Sequence, residues 1–181
     1  MKRWPIFLLV MAASFHSCAD LKKDEQLKRI HQLEIRLQSV EESTLANKID
    51  SLTKMEMASA KVEKSLKKHL CSDTIDLILA KKIDAYKIMR QQLKPLDKQY
   101  KLLLQSTKEE KPTLKNLSID IENGTGERQS YESYILFEKN KIKQIEVLFA
   151  EYQRFKQEAL TNYKRLHPEL NQYALEIANK K

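Results

Sequence analysis

Ile30-His31-Gln32-Leu33-Glu34-Ile35-Arg36-Leu37-Gln38-Ser39-Val40 decides the fold class. Ile30, Leu33, Leu37 and Val40 recur at spacings of three and four, which lines them along one face of a helix as a coiled-coil-like seam. Working outward, the chain from Leu21 to about Leu70 reads as one long helix or two in line. Leu45, Ile49 and Leu52 form a second stripe, followed by Met55, Val62, Leu66 and Leu70. A slip of register near Ser43-Thr44 marks a stutter or a short turn. Of Met55 and Met57, one core and one surface methionine is expected in preference to a soft-metal site. Glu25 with Arg29, and Glu63 with Lys67, are i,i+4 pairs in the favourable order, each contributing a few tenths of a kcal/mol.

A boundary is expected at Cys71-Ser72-Asp73, where Ser72 or Asp73 can cap a new helix by accepting an orphan backbone N–H. That helix carries Leu79, Ile83, Tyr86, Leu93, Tyr100 and Leu104, with Arg90 and Asp97 interrupting the stripe. Pro95 lies inside it and lacks a backbone N–H, which predicts a kink. From Lys108 to Gln129 the pattern fails. Lys111-Pro112, the alternation Leu117-Ser118-Ile119-Asp120-Ile121 and the cluster Asn123-Gly124-Thr125-Gly126 read as an irregular connection with an extended piece. The chain has 2 glycines, and both sit here, so a turn with positive φ is expected. No Lys-Ser/Thr follows them, which argues against a phosphate-binding P-loop. Asn123, Gly124, Thr125, Gly126, Glu127 and Arg128 form the most distinctive loop, and loops held by rigid scaffolds often carry binding residues. They are the candidate partner contact.

The last long helix is expected over Ser130 to Leu166, with Ile142, Ile145, Phe149, Tyr152, Ala159, Tyr163 and Leu166 on its stripe and Lys156 intruding. Tyr131, Tyr134, Phe137 and Phe155 flank it. A core with tyrosine hydroxyls at its edge is preferred to an exposed aromatic recognition face. His167-Pro168 is expected to stop this helix, and Pro168 to open a short final one through Leu170, Tyr173 and Ile177.

Composition agrees with this reading. Two glycines and 4 prolines among 181 residues, with 32% charged, favour long helices over a many-stranded sheet. The expected fold is all-α: an elongated antiparallel bundle of three to four long helices. One domain, 27–181, is expected to contain it. Of the formal charge of +8, Lys2 and Arg3 contribute two. Interspersed Asp and Glu favour a solvated lysine-rich surface over a dedicated face for anionic headgroups, polysaccharide or an acidic partner.

The amino terminus has a positive Lys2-Arg3, an apolar run from Ile6 to Ala13, then Phe15-His16-Ser17-Cys18. The apolar run is far short of the roughly 20 residues that span a bilayer, and it reads as a secretion signal. Ser17-Cys18 resembles the end of the lipobox of bacterial lipoproteins, with Phe15 and His16 standing where Leu and a small residue are usual. The resemblance covers only about the first 20 residues and implies a signal peptide over 1–17, acylation of Cys18 and a polar tether over 18–26. The run Asp20-Leu21-Lys22-Lys23-Asp24-Glu25 is similar to tethers of Bacteroidota-like envelopes, although a solvated helix start explains it better than surface export. Ser17-Cys18-Ala19 also fits an ordinary signal-peptidase site, with cleavage before Asp20.

Chemistry-bearing residues are sparse. His31, His69 and His167 are far apart, His31-Gln32-Leu33-Glu34 reverses the Glu-x-x-His order of di-iron bundles, and no Cys-x-x-Cys occurs. Cys71 is expected to be buried and inert. No catalytic residue, metal site or cofactor is expected. The leading expectation is therefore a non-enzymatic, lipid-anchored interaction or scaffold protein of the bacterial envelope, facing the periplasm or cell surface. Its partners would be the membrane through Cys18 and another envelope protein or polysaccharide. Secretion makes nucleic acid an unsuitable partner. Two alternatives are a soluble periplasmic chaperone-like bundle and, less favoured, a metal-handling bundle using His31, Glu34, His69 or Cys71.

Overall fold

Helix follows from the uninterrupted three-four spacing of apolar residues together with the scarcity of glycine. The computed structural model describes residues 4–47, 49–70 and 76–180, with side chains from Lys22 onward apart from that of Asp50. Four helices form: α1 Trp4–Ala46, α2 Asp50–His69, α3 Leu77–Asn123 and α4 Tyr131–Asn179, the last preceded by a 3-10 turn at Arg128–Ser130. No strand occurs among the described residues. The all-α bundle is the fold.

The seams extend further than the apolar residues alone indicate. On α1 the buried positions are Gln26, Ile30, Leu33, Leu37, Val40 and Thr44. On α3 they are Tyr86, Met89, Leu93, Leu96, Leu103, Thr107, Glu110, Leu114, Leu117 and Ile121. Each step is three, four or a full seven residues, the heptad repeat of knobs-into-holes packing. The polar members Gln26, Thr44, Thr107 and Glu110 occupy seam positions like their apolar neighbours.

The chain forms two compact units, Met1–Glu42 with Gln105–Glu146, and Ser43–Leu104 with Val147–Lys181. The boundaries fall inside α1, α3 and α4. In the first unit, Gln26 and Arg29 reach Glu132 while Arg36 reaches Glu146, so α1 and α4 run parallel. Tyr131 bonds Asp120 while Lys141 pairs with Glu110, so α3 runs antiparallel to α4. In the second unit, Tyr86 meets His167 and Tyr100 meets Tyr152, again antiparallel. Arg90 pairs with Glu63 of α2, which explains how one interrupter of the α3 stripe is accommodated.

Several expected boundaries move. The break between α1 and α2 lies at Asn47, whose side-chain amide donates to the Ser43 carbonyl at 2.6 Å, and not at Ser43-Thr44. Thr44 is buried on the seam. Cys71, Ser72 and Asp73 lie outside the described residues. α3 is capped by Asp76, whose Oδ1 accepts from the Ile78 N–H at 3.2 Å. Residues 22–26 belong to α1 and are not a free tether, because Gln26 is buried and bonded to Glu132.

The irregular connection expected over 108–129 shrinks to Gly124–Glu127, since α3 continues through Pro112 to Asn123. α4 likewise runs through Pro168 to Asn179 instead of stopping there. A proline inside a helix costs about 3 kcal/mol through its missing hydrogen bond and its clash with the carbonyl four residues earlier. Here Pro95, Pro112 and Pro168 are all exposed, as are Gln91, Lys108 and Lys164, whose carbonyls lose the donor. Water can solvate those groups, while Leu114 and Leu170 keep the buried seam continuous. Burial of a leucine, about 1.5–3 kcal/mol, offsets much of the penalty.

Pro112→Ala should therefore stabilise the chain, by about 1–3 kcal/mol. Leu114→Ala, two residues on and fully buried, should cost about 2–5 kcal/mol. Urea unfolding of both variants checks the pair, and equal effects of the same sign would contradict the placement of Pro112 on the solvated face.

Candidate functional site

The loop Asn123–Arg128 is built by a helix terminus that needs glycine. Gly124 has φ +64°, and its N–H donates to the Ile121 carbonyl at 3.2 Å while that of Thr125 donates to Asp120 at 2.9 Å. These two bonds make a Schellman motif, which satisfies the last carbonyls of α3. Gly126, with φ +76°, then turns the chain towards α4. The Tyr131 hydroxyl, itself buried on α4, bonds the carbonyls of both Asp120 and Thr125. Arg128 Nε donates to the Gly124 carbonyl at 2.8 Å. A side chain at position 124 would collide with that guanidinium. The loop is pinned at both ends.

Three of the six predicted contact residues, Asn123, Gly124 and Arg128, line an open cavity of about 490 Å³ together with Lys22, Lys23 and Gln26 of α1. Thr125, Gly126 and Glu127 are exposed but lie outside its wall. Three cations (Lys22, Lys23 and Arg128) face it against one carboxylate, that of Glu122. Gln26 is held in place by donating to Glu132 at 2.7 Å, and Arg29 donates to the other oxygen of that carboxylate at 2.6 Å. These two bonds hold the Glu132 carboxyl below the usual carboxylate range, the Gln26 bond contributing most. Lys22, Lys23 and Gln26 were not singled out from sequence. The available signal was that Gln26 precedes Ile30 by one seam step.

A second cluster is buried in the same unit. Glu110 of α3 and Glu138 of α4 occupy facing seam positions, 3% and 7% exposed, and Lys141 Nζ lies 2.6 Å from Glu110 Oε2. It lies 2.9 Å from Glu138 Oε2, close enough for an ion pair, though that oxygen has no aligned hydrogen bond. Glu110 Oε1 has no hydrogen-bond partner. One lysine does not fully neutralise two buried carboxylates, and loss of solvation together with neighbouring Glu138 pushes the Glu110 carboxyl up to about 7.

In the second unit, the buried Tyr86 hydroxyl lies 2.5 Å from His167 Nδ1, and the imidazole stacks on Tyr163 at 4.3 Å between centroids. Burial pushes Tyr86 up to about 12 and His167 below its ordinary value, so a protonated phenol donates to a neutral imidazole. The aromatic residues thus divide. Tyr131 and Tyr152 are core, while Tyr134 and Phe137 are 43% and 62% exposed, with Lys141 Nζ 5.4 Å from the Phe137 ring centre.

His31 and Glu34 pair loosely at 3.5 Å on the exposed side of α1, whereas His69 belongs to the other unit. Among the described residues no group of three or more His, Cys, Asp or Glu is placed to hold a metal ion. No described helix is long and apolar enough to cross a membrane. The side chain of Cys18 and all of Cys71 lie outside the described residues. Comparison with protein-family models, curated proteins and solved structures gives no match.

The buried acid pair gives a signed pH dependence. An acid that holds its proton more tightly when folded loses stability as pH rises from about 4.5, its ordinary value, through about 7. Glu110→Gln removes that loss while Lys141 keeps Glu138. The variant should therefore gain on the parent between pH 5 and pH 8, reaching about 1–3 kcal/mol at the upper end. Thermal unfolding across that range is the check, and a pH-independent difference would contradict the shift. Gly124→Ala, by contrast, should cost about 1 kcal/mol or more at every pH, through the positive φ and the displaced Arg128.

Proposed function

We propose that this chain is a lipid-anchored, non-enzymatic scaffold or interaction protein of a bacterial cell envelope, tethered through Cys18. The observation that supports this most is the position of the loop cavity. Its wall includes Lys22 and Lys23, four and five residues beyond Cys18 on α1. At the helical rise of 1.5 Å per residue that is only about 6–8 Å. Acylation would thus put the most elaborated loop of the protein next to the bilayer, with the packed helices of the first unit around it. Two or three acyl chains, as the lipoprotein resemblance implies, give a stable anchor where one would be marginal. Another envelope protein or a polysaccharide would meet the remaining helical faces.

A second reading, a soluble periplasmic chaperone-like protein cleaved before Asp20, draws on the exposed Tyr134, Leu136 and Phe137 of α4. Mass measurement of the mature amino terminus from the native membrane fraction, beside a Cys18→Ala version, separates the two. The expected result is an acylated Cys18 fragment, with the variant released or unprocessed. A free amino terminus at Asp20 would overturn the anchored reading in favour of the soluble one.

A further inference from the structure

We propose that the cavity between the start of the described α1 side chains and the Asn123–Arg128 loop binds the phosphate of an anionic glycerophospholipid headgroup. This rests on the anchored reading above. The cavity's roughly 490 Å³ lies within the range of small-ligand sites, and it is open to solvent rather than sealed. Its charge is right for an anion, since Lys22, Lys23 and Arg128 outnumber Glu122.

Arg128 is the best-placed recognition group. Its Nε is committed to the Gly124 carbonyl, which fixes the plane of the guanidinium. A guanidinium is a planar fork of N–H donors that suits phosphate oxygens. Gly124 is needed for this, because a Cβ there would occupy the guanidinium's place. Lys22 and Lys23 act differently. A lysine ammonium is a point charge on a flexible stem, which can follow a headgroup without setting its orientation.

Position selects the source of the phosphate. The cavity lies within about two helical turns of Cys18 along α1, where acyl chains would enter the bilayer. An anionic leaflet attracts each nearby Lys or Arg, and the attraction fades within a Debye length, so cations here act while those of a distant surface do not. Along the cavity wall itself the balance is three cations to one carboxylate, unlike the interspersed charge of the chain as a whole.

The test uses the full chain carrying Cys18→Ala, so that no acyl group contributes, with vesicles of phosphatidylcholine alone or mixed with phosphatidylglycerol. The apolar stretch Ile6 to Ala13 adds to both vesicle types, so the readout is the ratio of the two affinities. Lys22→Gln with Arg128→Gln should reduce the preference for phosphatidylglycerol roughly thirty-fold. Lys22→Gln with Lys23→Gln leaves every loop hydrogen bond intact and should produce a similar loss, which guards against misfolding of the first variant. Lys61→Gln with Lys164→Gln, both exposed in the other unit, removes equal charge and should leave the ratio unchanged.

An equal loss in that control would overturn the site in favour of a diffuse basic surface. Binding of inorganic phosphate in the cavity without any vesicle preference would overturn the lipid assignment. Failure of the anchored reading would be seen separately, as a free amino terminus in the native protein, whatever the vesicles show.

Discussion

Everything in this molecule depends on heptad seams that do not stop where the apolar residues stop. Knobs-into-holes packing fixes which residues face inward by position alone. A glutamine, two threonines and two glutamates are therefore carried into the core by the register of their neighbours. The register then dictates the polar chemistry. Gln26 must reach Glu132, and Glu110 and Glu138 must share Lys141, because the helices leave those groups nowhere else to go. Buried polar groups of this kind contribute little net stability, and their best-attested effect elsewhere is to fix register. Here they sit at levels where α3 is bonded to α4 or α1 to α4.

How much of this was legible follows from the same rule. Ile30, Leu33, Leu37 and Val40 announced the helix of α1 because each is apolar, and all four are buried. The α3 seam was readable near Tyr86 and Leu93, then lost where Thr107 and Glu110 stand in apolar slots and Pro112 follows. A proline is evidence against a helix only when its neighbours are not holding the helix together. At Pro112 and Pro168 the leucines two residues on are buried on the seam, and the carbonyls left without donors belong to exposed residues, Lys108 and Lys164. Local chemistry pointed to a break, and packing overrode it.

The candidate loop was legible for a different reason. Two glycines concentrated within three residues of a chain otherwise free of them mark backbone that must enter the left-handed region, and both do so. What one chain segment cannot reveal is its neighbour across the fold. Lys22 and Lys23 read as a solvated helix start, and only the parallel course of α1 and α4 brings them against the turn that precedes α4. The cavity is a product of topology, so no motif could have announced it.

The helical state of residues 22–26 has a consequence for how such a protein would meet its neighbours. A flexible stalk lets an anchored domain roam a hemisphere of space and sample every orientation. A helix that runs from Cys18 directly into the bundle would remove that slack if Cys18 carried the anchor proposed above. Once held at Cys18, the first unit would explore the leaflet by lateral diffusion, with fewer orientations open to it than a flexible stalk allows. Encounters would then be two-dimensional, and weak contacts would gain from a high local concentration without any enlargement of the contacting surface.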